Sequence, residues 1–528
     1  MFRPELSRAC AVWTIILMCA SAPLIAQCNP GGGPGGVGVD LIVGDIPAGA
    51  SFGEAGGFYG FSVGASLCNI GTAPAPWTSN TADHPVILQN LYRLRDGRFE
   101  QIGASWMRHL LVPLTQDGCG CGCVPAGFSA LGAGCSDTTS AAVNGSPTQL
   151  SAPSELLDAS FGSFVFPPVL DPTVTDATSR RIRVAASDLD PTLNVGAQYF
   201  AEVMLYAESD ATAGNGSNPA SVRPVQFGPT ANNYPLQFTG PTERQKSALE
   251  VWADLDPTVF IVTLADGTGG SFLFATKVTD LGTGQWSYEY ALSNLSSGRG
   301  ADKLSVTVGP QVVTAIGFHD CDPHSGDVFG GTDWVSTVAS GVLTWETTNA
   351  TTNPLANALR AGKTFNYRLV ADAAPVASNL AISMFQTGSP SEIIFEGLAP
   401  AATFIDCNGN GMADFIDIQS AESLDCDGNG VPDECDDPIY IRGDANLDLT
   451  LDVADPITIL GQLFSGTSVP CESAADGNGD HARDIADAIY VLNHLFANGA
   501  PPPAPYPTCD TAAAGSPLGC CVSPCSGP

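Results

Sequence analysis

Gln198-Tyr-Phe-Ala-Glu-Val-Met-Leu-Tyr206 is rich in aromatic and apolar side chains and carries one charge, the composition of a β-strand. Similar short runs recur on both sides of it: Arg181-Ile-Arg-Val-Ala185, Phe260-Ile-Val-Thr-Leu264, Gly284-Gln-Trp-Ser-Tyr-Glu-Tyr-Ala-Leu292, Leu304-Ser-Val-Thr-Val308 and Phe365-Asn-Tyr-Arg-Leu-Val370. Turn clusters such as Asp266-Gly-Thr-Gly-Gly270 and Gly330-Gly-Thr-Asp333 separate them. Strands at this spacing predict a mainly β chain with two antiparallel β-sandwich domains, over 39–240 and 241–400. The boundary is set near 240 because Ala211–Pro229, with Gly214-Asn-Gly-Ser-Asn-Pro219, is the least strand-like part.

The whole chain of 528 residues is too long for one compact core. With 44% hydrophobic and 14% charged residues, wholesale disorder is not expected. The formal charge is −34, and Lys occurs only at 246, 277, 303 and 363. Phosphate backbones need clustered Lys and Arg, so nucleic acid is excluded as a partner. The acid is concentrated: residues 401–496 hold 16 Asp and 3 Glu against Arg442 and Arg483.

Residues 1–26 read as a secretory signal, with Arg3 and Arg8, an apolar stretch Ala11–Ala20, and Ala22-Pro-Leu-Ile-Ala26 before the expected cut. Residues 27–38 form a Gly/Pro leader. No later segment approaches the ~18–20 apolar residues of a membrane helix, so no membrane span is expected and the protein is placed outside the cell or at its surface. Losing Cys10 and Cys19 with the signal leaves 15 cysteines, most of them expected in disulfides. The run Cys119-Gly-Cys-Gly-Cys123 has no partner at zinc spacing and reads as a disulfide-stapled loop. The odd total predicts one free or intermolecular thiol, with Cys68, Cys321 and Cys28 as candidates.

After residue 400 the pattern changes to Asp/Asn/Gly loops. Calcium takes six to eight hard oxygens, which a twelve-residue loop supplies from positions 1, 3, 5, 7 (a carbonyl), 9 and 12. Asp444, Asn446, Asp448, Thr450, Asp452 and Asp455 fill those positions in one loop, and Asp476, Asn478, Asp480, Ala482, Asp484 and Asp487 fill them again 32 residues later. Each loop leads into a helical segment, Pro456–Phe464 and Ala488–Phe496. Apolar positions 453, 457, 460 and 464 fall on one face of the first, and 485, 489, 492 and 496 on one face of the second. Two such units in tandem, over about 440–497, resemble a type I dockerin module, here placed at 439–498. The resemblance implies bound Ca2+ on the residues just named, and a cohesin-like protein or a neighbouring domain as partner. Two features depart from the family. Position 6, usually Gly, is Leu449 and His481. Positions 10 and 11, where clostridial dockerins carry a Ser-Thr type pair, are Val453-Ala454 and Ile485-Ala486. Calcium binding survives these changes; a cellulosomal cohesin does not.

Upstream, Asp406, Asn408, Asn410, Asp414 and Asp417 form one further loop, and Asp425, Asp427, Asn429, Asp433 and Asp436 repeat it at 19 residues, each with Gly at position 6. With Cys407, Cys426 and Cys435, these loops resemble thrombospondin type 3 calcium repeats, assigned to 401–438. A Cys/Pro-rich tail, 499–528, closes the chain.

The stretches His84–His109 and Gly317–Asp327, the latter closing with Asp333-Trp334, resemble segments of dockerin-bearing secreted proteins of planctomycete-like bacteria, a resemblance that brings no activity with it. His319, Asp320, Asp322 and His324 could meet at a metal, though two His in a polar loop more often hydrogen-bond locally. Tyr92, Trp106 and Trp334 suit a sugar-stacking platform or a sandwich core, and core is the simpler reading. Glu243, Glu250, Glu289 and Asp322 offer carboxyls without a pattern that selects a pair for glycoside hydrolysis. Gly49-Ala-Ser51-Phe-Gly53 lacks the helix a nucleophile elbow requires. The sequence therefore reads as an exported calcium-binding protein with a docking module and a binding or structural role. The alternative is a glycoside hydrolase or accessory protein acting on extracellular polysaccharide, since dockerins often ride on such enzymes.

Overall fold

A computed structural model describes residues 36–78, 81, 84–109, 113–146, 151–164, 166, 176–228, 234–324, 327–400, 418, 423, 432, 435, 439–469 and 471–511. The segment 1–26, most of the leader, the tail beyond 511 and all ten expected ligands of the 401–438 loops lie outside these residues. The chain is mainly β, built from several sheets, and the strand pairs among the described residues are antiparallel.

The quoted run Gln198–Tyr206 is a central strand, between Val86–Arg95 and Ala220–Phe227 in a seven-stranded sheet. Its alternation faces two ways. Ala201, Val203 and Leu205 join one core, with Leu41, Val43, Phe61 and Leu67 from two three-stranded sheets. Phe200, Met204 and Tyr206 join a second core on the opposite face. Burial on both faces explains why the run is almost continuously apolar.

That second core extends past residue 240. It takes in Ala248, Leu249, Val251 and Trp252 from the helix Ala248–Leu255, and Leu273, Ala275 and Ala291 from the next five-stranded sheet. Ser247 begins the helix by accepting from the Glu250 amide while Glu250 returns a bond to the Ser247 amide, a capping box. The strand Ser271–Asp280 also works on both faces, since its Phe272 and Phe274 enter a third core between the two five-stranded sheets. Among the described residues of 39–400, named strands pair within 39–240 or within 241–400, one isolated bridge, Val222 with Glu243, crosses the boundary, and the two halves are buried against each other. Polar contacts tie the seam as well. Glu202, buried, accepts from Asn90 Nδ2 at 2.9 Å, from Tyr92 Oη at 3.1 Å and from the Ala248 amide at 2.8 Å. Gln101 Oε1 accepts from the Thr364 amide at 2.8 Å, and Arg98 pairs with Glu289 at 2.8 Å.

Tyr92, Trp106 and Trp334 are all buried, in agreement with the core reading. Cys68 is not the free thiol: it sits on the strand Ala65–Asn69 and is bonded to Cys119, while Cys123 is bonded to Cys135. Sequence separation concealed the first pair, because sheet pairing brings together residues 51 apart. Cys321 is the free thiol among the described residues; it lies at the seam with Sγ 3.3 Å from the Gln101 carbonyl, and burial pushes it well above the ordinary thiol range. No helix among the described residues is long and apolar enough to cross a membrane.

Candidate metal centre and the faces around it

In the C-terminal region the helices Ala454–Ser465 and Ile485–Ala497 pack on one another over a core of Ala445, Ile459, Val469, Ala475 and Ala488. Each helix is preceded by one of the twelve-residue loops, and the two loops share one hydrogen-bond pattern. The position 1 carboxylate accepts from the amides of positions 5 and 6: Asp444 from Asp448 at 3.2 Å and Leu449 at 2.9 Å, Asp476 from Asp480 at 3.1 Å and His481 at 3.2 Å. The position 12 carboxylate accepts from the amide of position 9, Asp455 from Asp452 at 2.8 Å and Asp487 from Asp484 at 2.9 Å. Asn446 and Asn478 each donate Nδ2 to the position 5 carboxylate at 2.9 Å. The position 7 amides, Thr450 and Ala482, donate to that same carboxylate at 2.9 Å. Asp452 and Asp484 accept from the amides of Ala454 and Ala486 at 2.7 and 2.6 Å, and Asp484 is the N-cap of its helix.

These bonds hold the backbone in a tight turn around converging oxygens. Asp476, Asp480 and Asp487 place carboxylate oxygens within 4.8 Å of one another, the acidic trio that closes so far among the described residues. Two oxygens on one calcium at 2.3–2.6 Å can be at most ~5 Å apart, so the donor set suits that ion in spacing as in hardness. Asp444, Asp455, Asp476 and Asp487 are fully buried. Burial, helped by the neighbouring Asp476 and Asp480 carboxylates, pushes Asp487 up to about 6, and burial with Asp444 and Asp448 does the same to Asp455. A cation among them would reverse that penalty.

Position 6 makes the left-handed turn without glycine: φ is +66° at Leu449 and +65° at His481. Position 4 is also left-handed, at Leu447 (φ +61°) in the first loop and Gly479 (φ +74°) in the second. The first loop therefore holds two side-chain-bearing residues in a region costing roughly 1–2 kcal/mol each, the second only one.

Sequence reasoning missed Arg442. Its guanidinium is buried against the second loop, with Nη1 3.0 Å from Asp476 Oδ2, Nη2 2.9 Å from Tyr440 Oη and Nε 3.1 Å from the Ala504 carbonyl. The signal available was that Arg442 is one of two basic residues in 401–496. The structure also shows where these helix faces point. Of the apolar positions picked out by spacing, Leu460 packs against the module's core, but Val453, Ile457 and Phe464 are exposed, as are Ile485, Ile489 and Phe496, with Phe464 and Phe496 at 73% and 71%. The rest of the core is Ile459, Val469 and small alanines that carry little hydrophobic signal.

In the β region, the metal reading at 319–324 does not assemble. His319 Nε2 donates to the Gln101 carbonyl at 3.1 Å, Asp320 accepts from Asn357 at 2.5 Å, and His324 Nε2 donates to the Arg181 carbonyl at 2.7 Å. Ser51 lies on the strand Gly49–Ala55 with its hydroxyl on the Tyr234 carbonyl, not at a strand-to-helix elbow. Glu243 pairs with Lys246, Glu250 caps a helix and Glu289 pairs with Arg98. Comparison with protein-family models and with curated proteins returns no match.

Proposed function

We propose that the chain is an exported, calcium-binding β-protein whose C-terminal module docks it to another protein, giving it a binding or structural role at the cell surface or in the matrix. Two sandwich units, 39–240 and 241–400, would form the body, and a dockerin-like module over 439–498 would do the docking. The observation that carries this is duplication. The two loops repeat one hydrogen-bond pattern, and each leads into a helix with three apolar side chains turned outward at matching positions, Val453, Ile457 and Phe464 against Ile485, Ile489 and Phe496. Exposed apolar faces of this kind mark interaction sites. In this reading Ca2+ is held by Asp444, Asn446, Asp448, Asp452 and Asp455, with the Thr450 carbonyl, and by their counterparts from Asp476 to Asp487. It supplies the positive charge that lets the buried carboxylates stay ionised. The partner would be a cohesin-like protein or a neighbouring domain.

The test couples ion and partner. Immobilised full-length protein should retain a partner from its producer's surface extract in millimolar calcium and release it in chelator. Ile457→Asp/Phe464→Asp/Ile489→Asp/Phe496→Asp should lose the partner while keeping calcium-dependent melting. Retention indifferent to both changes would overturn the docking reading. The hydrolase alternative gains no specific support, because Glu243, Glu250 and Glu289 are each held in structural contacts.

A further inference from the structure

A groove of about 540 Å³ lies at the seam of the two β halves, between residues 155–161 on one side and Arg299, Arg360 and the 386–388 turn on the other. Its volume falls within the roughly 300–1,000 Å³ typical of small-ligand sites. Two guanidinium groups line it. Arg299 is 8% exposed, and its guanidinium donates to main-chain carbonyls, Nη1 to Asp266 at 3.2 Å and Nη2 to Gln386 at 3.3 Å. Arg360 lies over the rings of Phe329 and Phe385 at 4.9 and 4.5 Å and gives Nη2 to the Pro354 carbonyl at 2.7 Å. Among the described residues neither forms an ion pair with a carboxylate, and both Nε atoms are buried without an acceptor.

Burying a cation without a counter-charge is costly, and on a chain of −34 carboxylates are plentiful. Of the two acids in the groove, Glu155 faces Lys363 at 3.4 Å, while Asp158 keeps its charge and accepts from Ser160 Oγ at 2.8 Å within the groove. With Lys363, which lies against Glu155, the groove has three cations to two carboxylates, on an acidic protein. Gly388, at φ +154°, closes over Arg299, where a Cβ would lie 3.1 Å from Cζ. Phe161 lines the same groove with 56% of its surface exposed.

We propose that this groove binds a carboxylated saccharide of the uronic-acid class, its carboxylate on Arg299 and Arg360 and its ring face on Phe161. The planar guanidinium fork matches a carboxylate, an exposed aromatic ring offers an apolar platform to a sugar face, and the Ser160 and Thr268 hydroxyls supply hydrogen-bonding groups. The site lies wholly within 155–388, so it stands or falls independently of the calcium reading.

The experiment is calorimetric titration of the full chain with tri-galacturonate, alongside a neutral trisaccharide and tri-glutamate, each in low and high salt. The expected result is saturable binding of tri-galacturonate, about ten-fold weaker binding of the neutral sugar and of the peptide, and weakening at high salt. Arg360→Gln and Phe161→Ala should each weaken binding about five-fold or more with the melting temperature unchanged. Arg299→Gln serves as a second variant, read with its own melting curve because Arg299 also ties two loops together. No binding of tri-galacturonate, equal binding of the neutral sugar, or full affinity in both Arg360→Gln and Phe161→Ala would overturn the proposal. Tighter binding of tri-glutamate would reassign the groove to acidic peptides.

Discussion

The strand Ser271–Asp280 buries apolar side chains on both of its faces, whereas the helix Ile485–Ala497 buries Asp487, Ala488 and Val491 and turns its larger apolar residues outward. The β region has three extensive cores that run into one another through shared sheets. The C-terminal module has a core of five small or medium residues beneath two loops of buried carboxylates. Small scaffolds with so little apolar burial need another source of stability. The β region is held by dry packing, whereas the C-terminal loops bury four aspartates beside little apolar surface.

The comparison breaks first at Trp252, fully buried where the two halves meet. Trp252→Ala should cost about 3–5 kcal/mol and lower one cooperative transition that covers 39–400. Two separate transitions, only one of them shifted, would show the halves to be independent. The disulfides come next. Replacing Cys123 and Cys135 by Ser opens a loop of sequence separation 12 and should cost about 3 kcal/mol in urea unfolding of the body, leaving the module's midpoint in place.

Asp210 sharpens the comparison through pH. It accepts from the Leu41 amide at 2.8 Å, and burial, with Asp40 nearby, pushes it up to about 7. A carboxyl raised in the folded state favours folding fully below its unfolded value near 4. That contribution is lost as pH rises through about 7. The body should therefore weaken between pH 4 and 7, by on the order of 3 kcal/mol from this group. Asp210→Asn, which keeps an acceptor for Leu41, should flatten that part of the profile; an unchanged profile would contradict the assignment. The smallest effect is expected in the loops. Leu449→Gly and His481→Gly should each stabilise the module by about 1 kcal/mol, because both exposed residues hold left-handed backbone.

Much of the β region was legible. The runs at 198–206, 260–264 and 365–370 lie within strands, since β composition is a local property. Cys68–Cys119 and the shared core were not, because both arise from contacts between residues distant in sequence. In the module, loop spacing located the carboxylates that converge at Asp476, Asp480 and Asp487. Helical periodicity found the apolar stripes at Val453/Ile457/Phe464 and Ile485/Ile489/Phe496, but it cannot say whether a stripe packs inward or faces solvent. Arg442 was invisible for a similar reason, its partners lying 34 and 62 residues away.

The most direct test of the account is differential scanning calorimetry of the intact protein, with calcium and then with chelator. Ion at about a hundred times its dissociation constant adds roughly 2.7 kcal/mol per site. The account predicts two transitions in calcium, with the module's transition falling or vanishing in chelator while the β region's stays in place. Traces that superimpose with and without calcium would contradict it.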